Sequence, residues 1–225
     1  MPSRKRRRVK GHVGFPRSGW VAATAASLLL AGGLIWLNLP RAPTVARPPT
    51  SGIEPRVLGS PTAGVVITEF ADFQCPACGL LARETLPPLE TEYIATGQVR
   101  LEFRHFAFIG PESEWAAQAA ECAGEQGQFW AFHDLLFSRQ AGENRGAFSK
   151  ERLKGFATEL GLDGSTFNAC LDSNRYAQKV EEDYRQGREL GVRATPTLFI
   201  NGRKVEGPPC SSMAARSRVP CLTPP

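Results

Sequence analysis

The feature that most constrains the fold is a pair of cysteines placed directly after a buried strand. The segment at residues 64–70, "GVVITEF", is apolar and β-branched, which is typical of a strand buried on both faces. Cys75 and Cys78 follow in "CPAC", and "GLLARETLPPLETEYIATG" then predicts a helix bent by Pro87 and Pro88. Because a strand passes into a helix here, free backbone N–H groups and the helix dipole favour a thiolate.

The rest of the domain predicts another strand, a long helical stretch and a hairpin. The segment at residues 99–106, "VRLEFRHF", has the two-residue period of a strand. Helices are expected at residues 112–125, 128–139, 149–160, 165–171 and 175–190. "TPTLFI", residues 195–200, predicts a strand, and the Asn-Gly pair after it predicts a hairpin turn back into "RKVEG". The order indicates an α/β fold with a helical subdomain inserted at about residues 110–190.

Charge divides the chain into a basic amino end and a mildly acidic domain. All 22 acidic residues lie at or after Glu54, whereas nine of the 27 basic residues precede it. The remainder therefore carries 18 basic and 22 acidic residues. It shows no basic stripe, which argues against nucleic-acid binding.

An uncharged apolar segment follows the basic residues 1–19. "WVAATAASLLLAGGLIWL" lies within residues 20–39 and approaches the roughly 20 residues of a membrane span. The preceding positive charge predicts a transmembrane signal anchor whose amino end stays in the cytoplasm. A cleaved signal peptide is the alternative, although "TVA", ending at Ala46, matches a cleavage site poorly. Either way, residues 40–55 are a Pro-rich linker, and the domain from residue 56 lies outside the cytoplasm, at the cell surface or in the periplasm.

The cysteine pair is open to three interpretations. A structural zinc site normally needs four ligands, but the sequence has no second CxxC and its three histidines form no ligand pair. A structural disulfide between Cys75 and Cys78 would close a tiny loop and remove little chain entropy. A redox pair fits best, with Cys75 as the exposed nucleophile and Cys78 as the buried resolving thiol. Pro76 suits the first helical turn, where its missing N–H is not needed.

Two distant motifs together resemble one family. "VVITEFADFQCPACG" and "GVRATPTLFINGRKVEG" are similar to the DsbA family of thiol-disulfide oxidoreductases, and the resemblance covers about residues 56–207. It implies a thioredoxin-like fold with a helical insertion. It also implies that Pro196 is cis and lies beside the CxxC pair, and that the peptide group of Thr195 pairs with an extended substrate. Without the resemblance, Pro196 is an ordinary proline at a strand start.

The resemblance further implies the reaction and its partners. A substrate thiolate attacks a Cys75–Cys78 disulfide at Cys75, and a second substrate thiolate releases the oxidised product. The substrates are exported protein thiols, and a membrane quinone-linked thiol oxidase regenerates the disulfide. We expect a monomer with no organic cofactor and no metal. The alternatives are a reductase or isomerase, or a membrane-tethered module that binds partners without catalysis.

Two residues near the cysteine pair in the sequence, Ala77 and Glu69, bear on its expected chemistry. Strongly oxidising family members carry histidine where this chain has Ala77, so we expect a less oxidising pair. Glu69, near the strand end, is the candidate proton shuttle for the resolving thiol. A solvated carboxylate or a salt-bridge partner is the alternative for Glu69. His105 and His133 are expected to pack or lie at the surface rather than to act in catalysis.

The remaining cysteines divide between the insert and the tail. Cys122 lies on a helical stripe with Ala119, and Cys170 shares a face with Phe167, so both are expected to point inward. We predict a Cys122–Cys170 disulfide, which the resemblance supports; buried free thiols are the alternative. Cys210 and Cys221 lie in a Pro-rich tail, residues 208–225, where the final helix expected of the family is not visible.

Overall fold

A computed structural model describes residues 54–206, which form a five-stranded mixed sheet with helices. The strands are β1 Val57–Leu58, β2 Val65–Ala71, β3 Val99–His105, β4 Thr197–Ile200 and β5 Arg203–Glu206. Their order across the sheet is β1-β3-β2-β4-β5. β2 pairs in parallel with β3 and antiparallel with β4, so the strand that precedes the cysteines is central. Four predicted strands are confirmed to within about two residues, whereas the two-residue β1 was not predicted.

The helical run after β2 carries the cysteines in its first turns. It consists of α1 Pro76–Leu80, π1 Leu81–Thr85, α2 Leu86–Leu89 and π2 Glu90–Ile94, where π1 and π2 are π-helical turns. The predicted helix is therefore present, and it begins at Pro76, directly after Cys75. Pro87 and Pro88 lack the N–H that an α-helix needs, and the hydrogen-bond pattern changes on both sides of α2.

Five helices form the insert. They are α3 Pro111–Gly124, α4 Phe129–Ser138, α5 Lys150–Glu159, α6 Gly164–Asp172 and α7 Ala177–Glu189. Ser149 caps α5 by accepting from the N–H of Arg152, and Asp163 caps α6 by accepting from the N–H of Thr166. All five predicted helices are confirmed, with ends that differ by two residues at most.

Side chains along β2 point alternately into two apolar cores, one on each face of the sheet. Ile67 belongs to the larger core and Phe70 to the smaller one, on opposite faces of the sheet. In the larger core, the rings of Phe73 and Phe103 stack with centroids 5.3 Å apart. His133 packs edge-on against Phe103 and is fully buried, in agreement with a packing role.

A buried charge cluster fixes the start of the described chain against the insert. Arg56 lies 3.2 Å from Glu121 of α3 and also contacts Asp183 of α7, and all three side chains are buried. Burial alone would raise the pKa of Glu121, but its hydrogen bond to His105 and the charges of Arg56 and Lys179 hold that pKa down at about 2. The cluster therefore joins β1 to two helices that are distant in sequence.

Cys122 of α3 and Cys170 of α6 form a disulfide, with an S–S distance of 2.02 Å and a Cα–Cα distance of 5.9 Å. Both residues are almost wholly buried, as their helical faces predict. The bond closes a segment with a sequence separation of 48 residues. A loop of that length loses substantial chain entropy in the unfolded state when it is closed.

Replacing both of these cysteines with alanine is expected to lower the free energy of unfolding by about 2–4 kcal/mol. Urea denaturation of the variant, and of the parent with its Cys122–Cys170 disulfide intact, measures the change. The redox pair should keep its reactivity, because Cys75 and Cys78 lie in a different element. An unchanged denaturation midpoint would contradict a stabilising role for the bond.

Several expectations lie outside the described residues. These are the basic tail at 1–19, the anchor at 20–39, most of the linker, and the tail at 208–225 with Cys210 and Cys221. Among residues 54–206, no helix combines the length and the apolar character that a bilayer crossing requires.

Candidate active site

The two cysteines occupy the junction between β2 and α1. Cys75 is the N-cap of α1 with extended backbone angles, φ −69° and ψ 120°, and Pro76 occupies the first turn as predicted. Both thiols are free. The prediction that Cys75 is exposed is wrong in degree, since only 8% of the residue is accessible, against 0% for Cys78. The carbonyl oxygen of Thr195 covers it, at 3.3 Å from the Cys75 sulfur.

The surroundings of Cys75 favour its thiolate. A hydrogen bond from the Cys78 thiol is the largest influence and lowers the pKa of Cys75 to about 7, against the opposing effect of burial. The side chain of Thr195, rather than its carbonyl group, and the backbone N–H groups of Cys78 and Ala77 lower the pKa further. The side chain of Ala77 donates nothing, but its backbone takes part.

Cys78 has the opposite preference. Burial raises its pKa well above the ordinary value, and the hydrogen bond to Cys75 together with the charges of Cys75 and Glu69 raises it further. At neutral pH the pair therefore holds a partly ionised outer thiol and a protonated inner thiol. This asymmetry suits a pair in which one sulfur reacts with substrate and the other resolves the intermediate.

The segment before β4 lies directly against the redox pair. The peptide bond between Thr195 and Pro196 is cis, and the Thr195 carbonyl is the group that contacts Cys75. The structure thus brings together two motifs that are separated by 120 positions in the sequence.

Glu69 lies on β2 with its side chain inside the protein, and its exposure is 0%. Neither carboxylate oxygen has a hydrogen-bond partner among the described residues. Burial is the main reason that its pKa is raised to about 8, and the negative charge of Cys75 adds to the effect. The geometry does not fit the alternative of a solvated carboxylate; it leaves a buried acid that can change protonation near neutral pH.

Asp72 holds the loop before the cysteines in place. Its Oδ1 accepts from the N–H of Gln74 at 2.8 Å and from Ser113 Oγ at 2.6 Å, and its Oδ2 accepts from the N–H groups of Phe108 and Ile109 at 2.9 and 3.2 Å. Burial raises the pKa of Asp72 in spite of these four bonds. No local pattern in the sequence marks Asp72 as the support of this loop, because three of its partners lie 36–41 positions away.

Metal ligation finds no support in the described part of the chain. Residues 54–206 contain no group of three or more His, Cys, Asp or Glu side chains arranged to bind a metal ion. A zinc ion bound by Cys75 and Cys78 would therefore find no further cluster of ligands among residues 54–206.

The fold and the site define a thioredoxin-like α/β protein with a helical insertion and a CxxC pair facing a cis-proline. Residues 51–214 match the family model described as Thioredoxin. Probable disulfide bond formation protein D of Bacillus anthracis is 35% identical over 149 residues, which are 64% of this chain and 69% of that protein. The chain belongs to the thioredoxin-like family, among the DsbA-like thiol-disulfide oxidoreductases.

Solved structures agree with this assignment. Oxidised BdbD from Bacillus subtilis superposes with a TM-score of 0.63 at 29% identity, over 68% of this chain and 84% of that one. Wolbachia pipientis alpha-DsbA1 gives a TM-score of 0.61 at 26% identity, over 68% of this chain and 82% of that one.

A second group of relatives is much longer than the matched region. A Na(+)/H(+) antiporter NhaA 1 of Salinispora arenicola is 39% identical over 153 residues, which are 67% of this chain but 22% of the antiporter. The likeness to this group is thus confined to a domain-sized segment of each antiporter.

Proposed function

We propose that this chain is a disulfide oxidase that transfers the Cys75–Cys78 disulfide to exported proteins. The observation that carries the proposal is the opposed ionisation of the pair, with the pKa of Cys75 lowered to about 7 and that of Cys78 raised. A stabilised Cys75 thiolate favours the reduced pair, so its disulfide tends to accept electrons from substrate thiols.

The exchange proceeds in two steps. A substrate thiolate attacks the Cys75 sulfur, a substrate–Cys75 bond forms, and the Cys75–Cys78 bond breaks with its electron pair on Cys78. Cys78 then takes up a proton, for which Glu69 is the proposed donor. A second substrate thiolate attacks the substrate sulfur of the mixed disulfide. The substrate leaves oxidised, and Cys75 leaves as a thiolate that its hydrogen bonds stabilise.

Substrate positioning is assigned to Thr195 and Pro196. An extended substrate segment would pair with the peptide group of Thr195, as in strand addition. Support comes from the position of the Thr195 carbonyl, 3.3 Å from the sulfur that reacts.

Location and reoxidation complete the proposal. The segment at 20–39 anchors a monomer in the membrane and the linker at 40–55 holds the domain at residues 56–207 outside the cytoplasm. A membrane quinone-linked thiol oxidase regenerates the disulfide there. The basic residues before the apolar segment support this orientation, and the relative from Bacillus anthracis, whose name describes disulfide bond formation, supports the reaction.

The direct test mixes the oxidised protein with an equimolar amount of a reduced, unfolded protein that contains several cysteines. We expect the substrate thiols to disappear while Cys75 and Cys78 become reduced, as followed by thiol alkylation and mass spectrometry. A non-catalytic binding module would hold the substrate without losing its own disulfide, and that result would overturn the proposal.

The reduction potential bears on the direction of transfer, since a value of about −180 mV favours an oxidase and one of about −270 mV favours a reductase. Because the pKa of Cys75 is about 7 rather than the about 3.5 of the DsbA cysteine, we expect a potential between about −270 and −180 mV. Equilibration with glutathione buffers measures it. Ala77→His should make the potential more oxidising, because a histidine at this position can donate to the thiolate. A parent potential near −120 mV would contradict the expectation from Ala77.

A further inference from the structure

We infer that Gln140 is a positioning residue for the redox pair, because its side-chain amide holds the backbone on both sides of Gln74. Gln140 Nε2 donates to the carbonyl oxygen of Phe73 at 2.8 Å and to that of Cys75 at 2.9 Å. Gln140 lies just after α4, 65 positions from Cys75 in the sequence. The inference deepens the proposed function and rests on it for the role of Cys75.

The partners fix which way the amide of Gln140 faces. Two carbonyl oxygens can only accept, so the group that faces them must be the NH₂ end. The opposite end, Oε1, lies over Gly79 on α1, where an added Cβ would collide with it and with Arg83. Gly79 therefore leaves the space that the amide fills, between the insert and the first turns of α1.

Asn144, four residues after Gln140, binds Gln74, the residue that lies between those two carbonyl groups. The backbone N–H of Asn144 donates to Gln74 Oε1 at 2.6 Å, and Gln74 Nε2 donates to Asn144 Oδ1 at 3.2 Å. Three consecutive residues, 73–75, are thus held by residues 140–144. Two side-chain amides in one short segment share this task, which distinguishes the contact from an isolated surface hydrogen bond.

Holding these carbonyls affects the nucleophile in two ways. The Nε2 hydrogens carry partial positive charge and point at the peptide group of Cys75, which favours negative charge nearby. The same bonds keep the turn in the geometry that lets the N–H groups of Ala77 and Cys78 reach the Cys75 sulfur. Loss of the amide should therefore disfavour the thiolate, although Gln140 does not touch the sulfur in any contact described above.

The test is the Gln140→Met variant, which keeps the length of the side chain and removes the donor. We expect roughly two- to fivefold less Cys75 thiolate at pH 7, since a lost hydrogen bond of ordinary strength corresponds to about half to one pKa unit and the parent pKa is about 7. The pH dependence of Cys75 alkylation and of thiolate absorbance measures the change. A merely structural residue would lower thermal stability without moving this titration.

Gln126→Met is the matched control. Gln126 also uses both ends of its amide on a backbone, donating to the Asp163 carbonyl at 3.3 Å and accepting from the Asp163 N–H at 2.8 Å. It lies between α3 and α4 and contacts no residue of the redox loop in these bonds. Its removal should leave the Cys75 titration unchanged.

Gly79→Ala approaches the same contact from the other side, by displacing the amide without removing it. Gly79→Ala should also raise the pKa of Cys75. It tests the positioning role of Gln140 if Gln140→Met fails to fold. Equal Cys75 pKa values in the parent and in the folded variants would overturn the inference. The titration needs no substrate, so a parent protein without disulfide transfer would overturn the proposed function and leave this result standing.

Discussion

Replacing either Cys75 or Cys78 with serine is expected to abolish disulfide transfer, because neither variant can form the Cys75–Cys78 bond. The two variants should differ in how they react with a substrate that already carries a disulfide. Cys75 is the partly accessible thiol, and its pKa of about 7 supplies thiolate at neutral pH, which a serine hydroxyl cannot do. Without Cys78, a substrate sulfur attached to Cys75 has no inner thiol to displace it. With a disulfide-containing substrate, the Cys75 thiolate of Cys78→Ser should attack the substrate disulfide, release one substrate thiolate and remain in a mixed disulfide, whereas Cys75→Ser should form none. Non-reducing electrophoresis with mass spectrometry distinguishes the two outcomes.

Both variants need a demonstration that the fold survives. Neither change touches the Cys122–Cys170 bond, so the urea denaturation midpoint should show that the insert is intact. Turnover that persists in Cys75→Ser would contradict the assignment of the nucleophile. Accumulation of adducts on Cys75→Ser instead of Cys78→Ser would reverse the two roles.

Glu69→Gln is expected to slow the step in which Cys78 attacks a Cys75 mixed disulfide by about a hundredfold, the lower end of general acid–base effects. Cys78 must lose its proton for this attack although its pKa is raised, and Glu69, with a pKa of about 8, is the buried group able to accept it. In the parent the rate should rise as pH passes through about 8, and the variant should lack this rise. Stopped-flow oxidation of the reduced protein by glutathione disulfide measures it.

A stability measurement gives an independent check on Glu69. Its pKa is about 8 in the folded protein and 4.5 ordinarily, so folding holds a proton that the unfolded chain releases between these values. Its contribution to stability is therefore fully present below about pH 4.5 and is lost as the pH rises towards 8. Glu69→Gln should become more stable than the parent across that window. Glu102→Gln, which changes a partly exposed carboxylate on β3, should leave the rate of the Cys78 attack unchanged.

The elements that position the redox pair were predictable because their signals are local. Strand periodicity at residues 99–106 and the Asn-Gly turn depend on neighbours in the sequence, and the structure has both. The pairing of the two cysteine-bearing helices of the insert followed from helical faces together with the family resemblance. The two-residue β1 gave no signal, because it is too short to show any period.

The groups that support the site could not be predicted in the same way. Gln140 and Asn144 have unremarkable neighbours in the sequence, and their partners lie 65–70 positions away. The degree to which Cys75 is covered also depends on a distant group, the Thr195 carbonyl. Such contacts arise only when the insert closes against the sheet, so no local pattern encodes them.

The hydrogen bonds from residues 140–144 to residues 73–75 bear on protein engineering. A CPAC tetrapeptide grafted onto another thioredoxin scaffold would carry its thiols but leave behind the amides that hold its backbone. Its chemistry should then follow the recipient scaffold rather than the donor. The unit that can be transplanted is the cysteine loop together with the end of α4 and the segment that follows it.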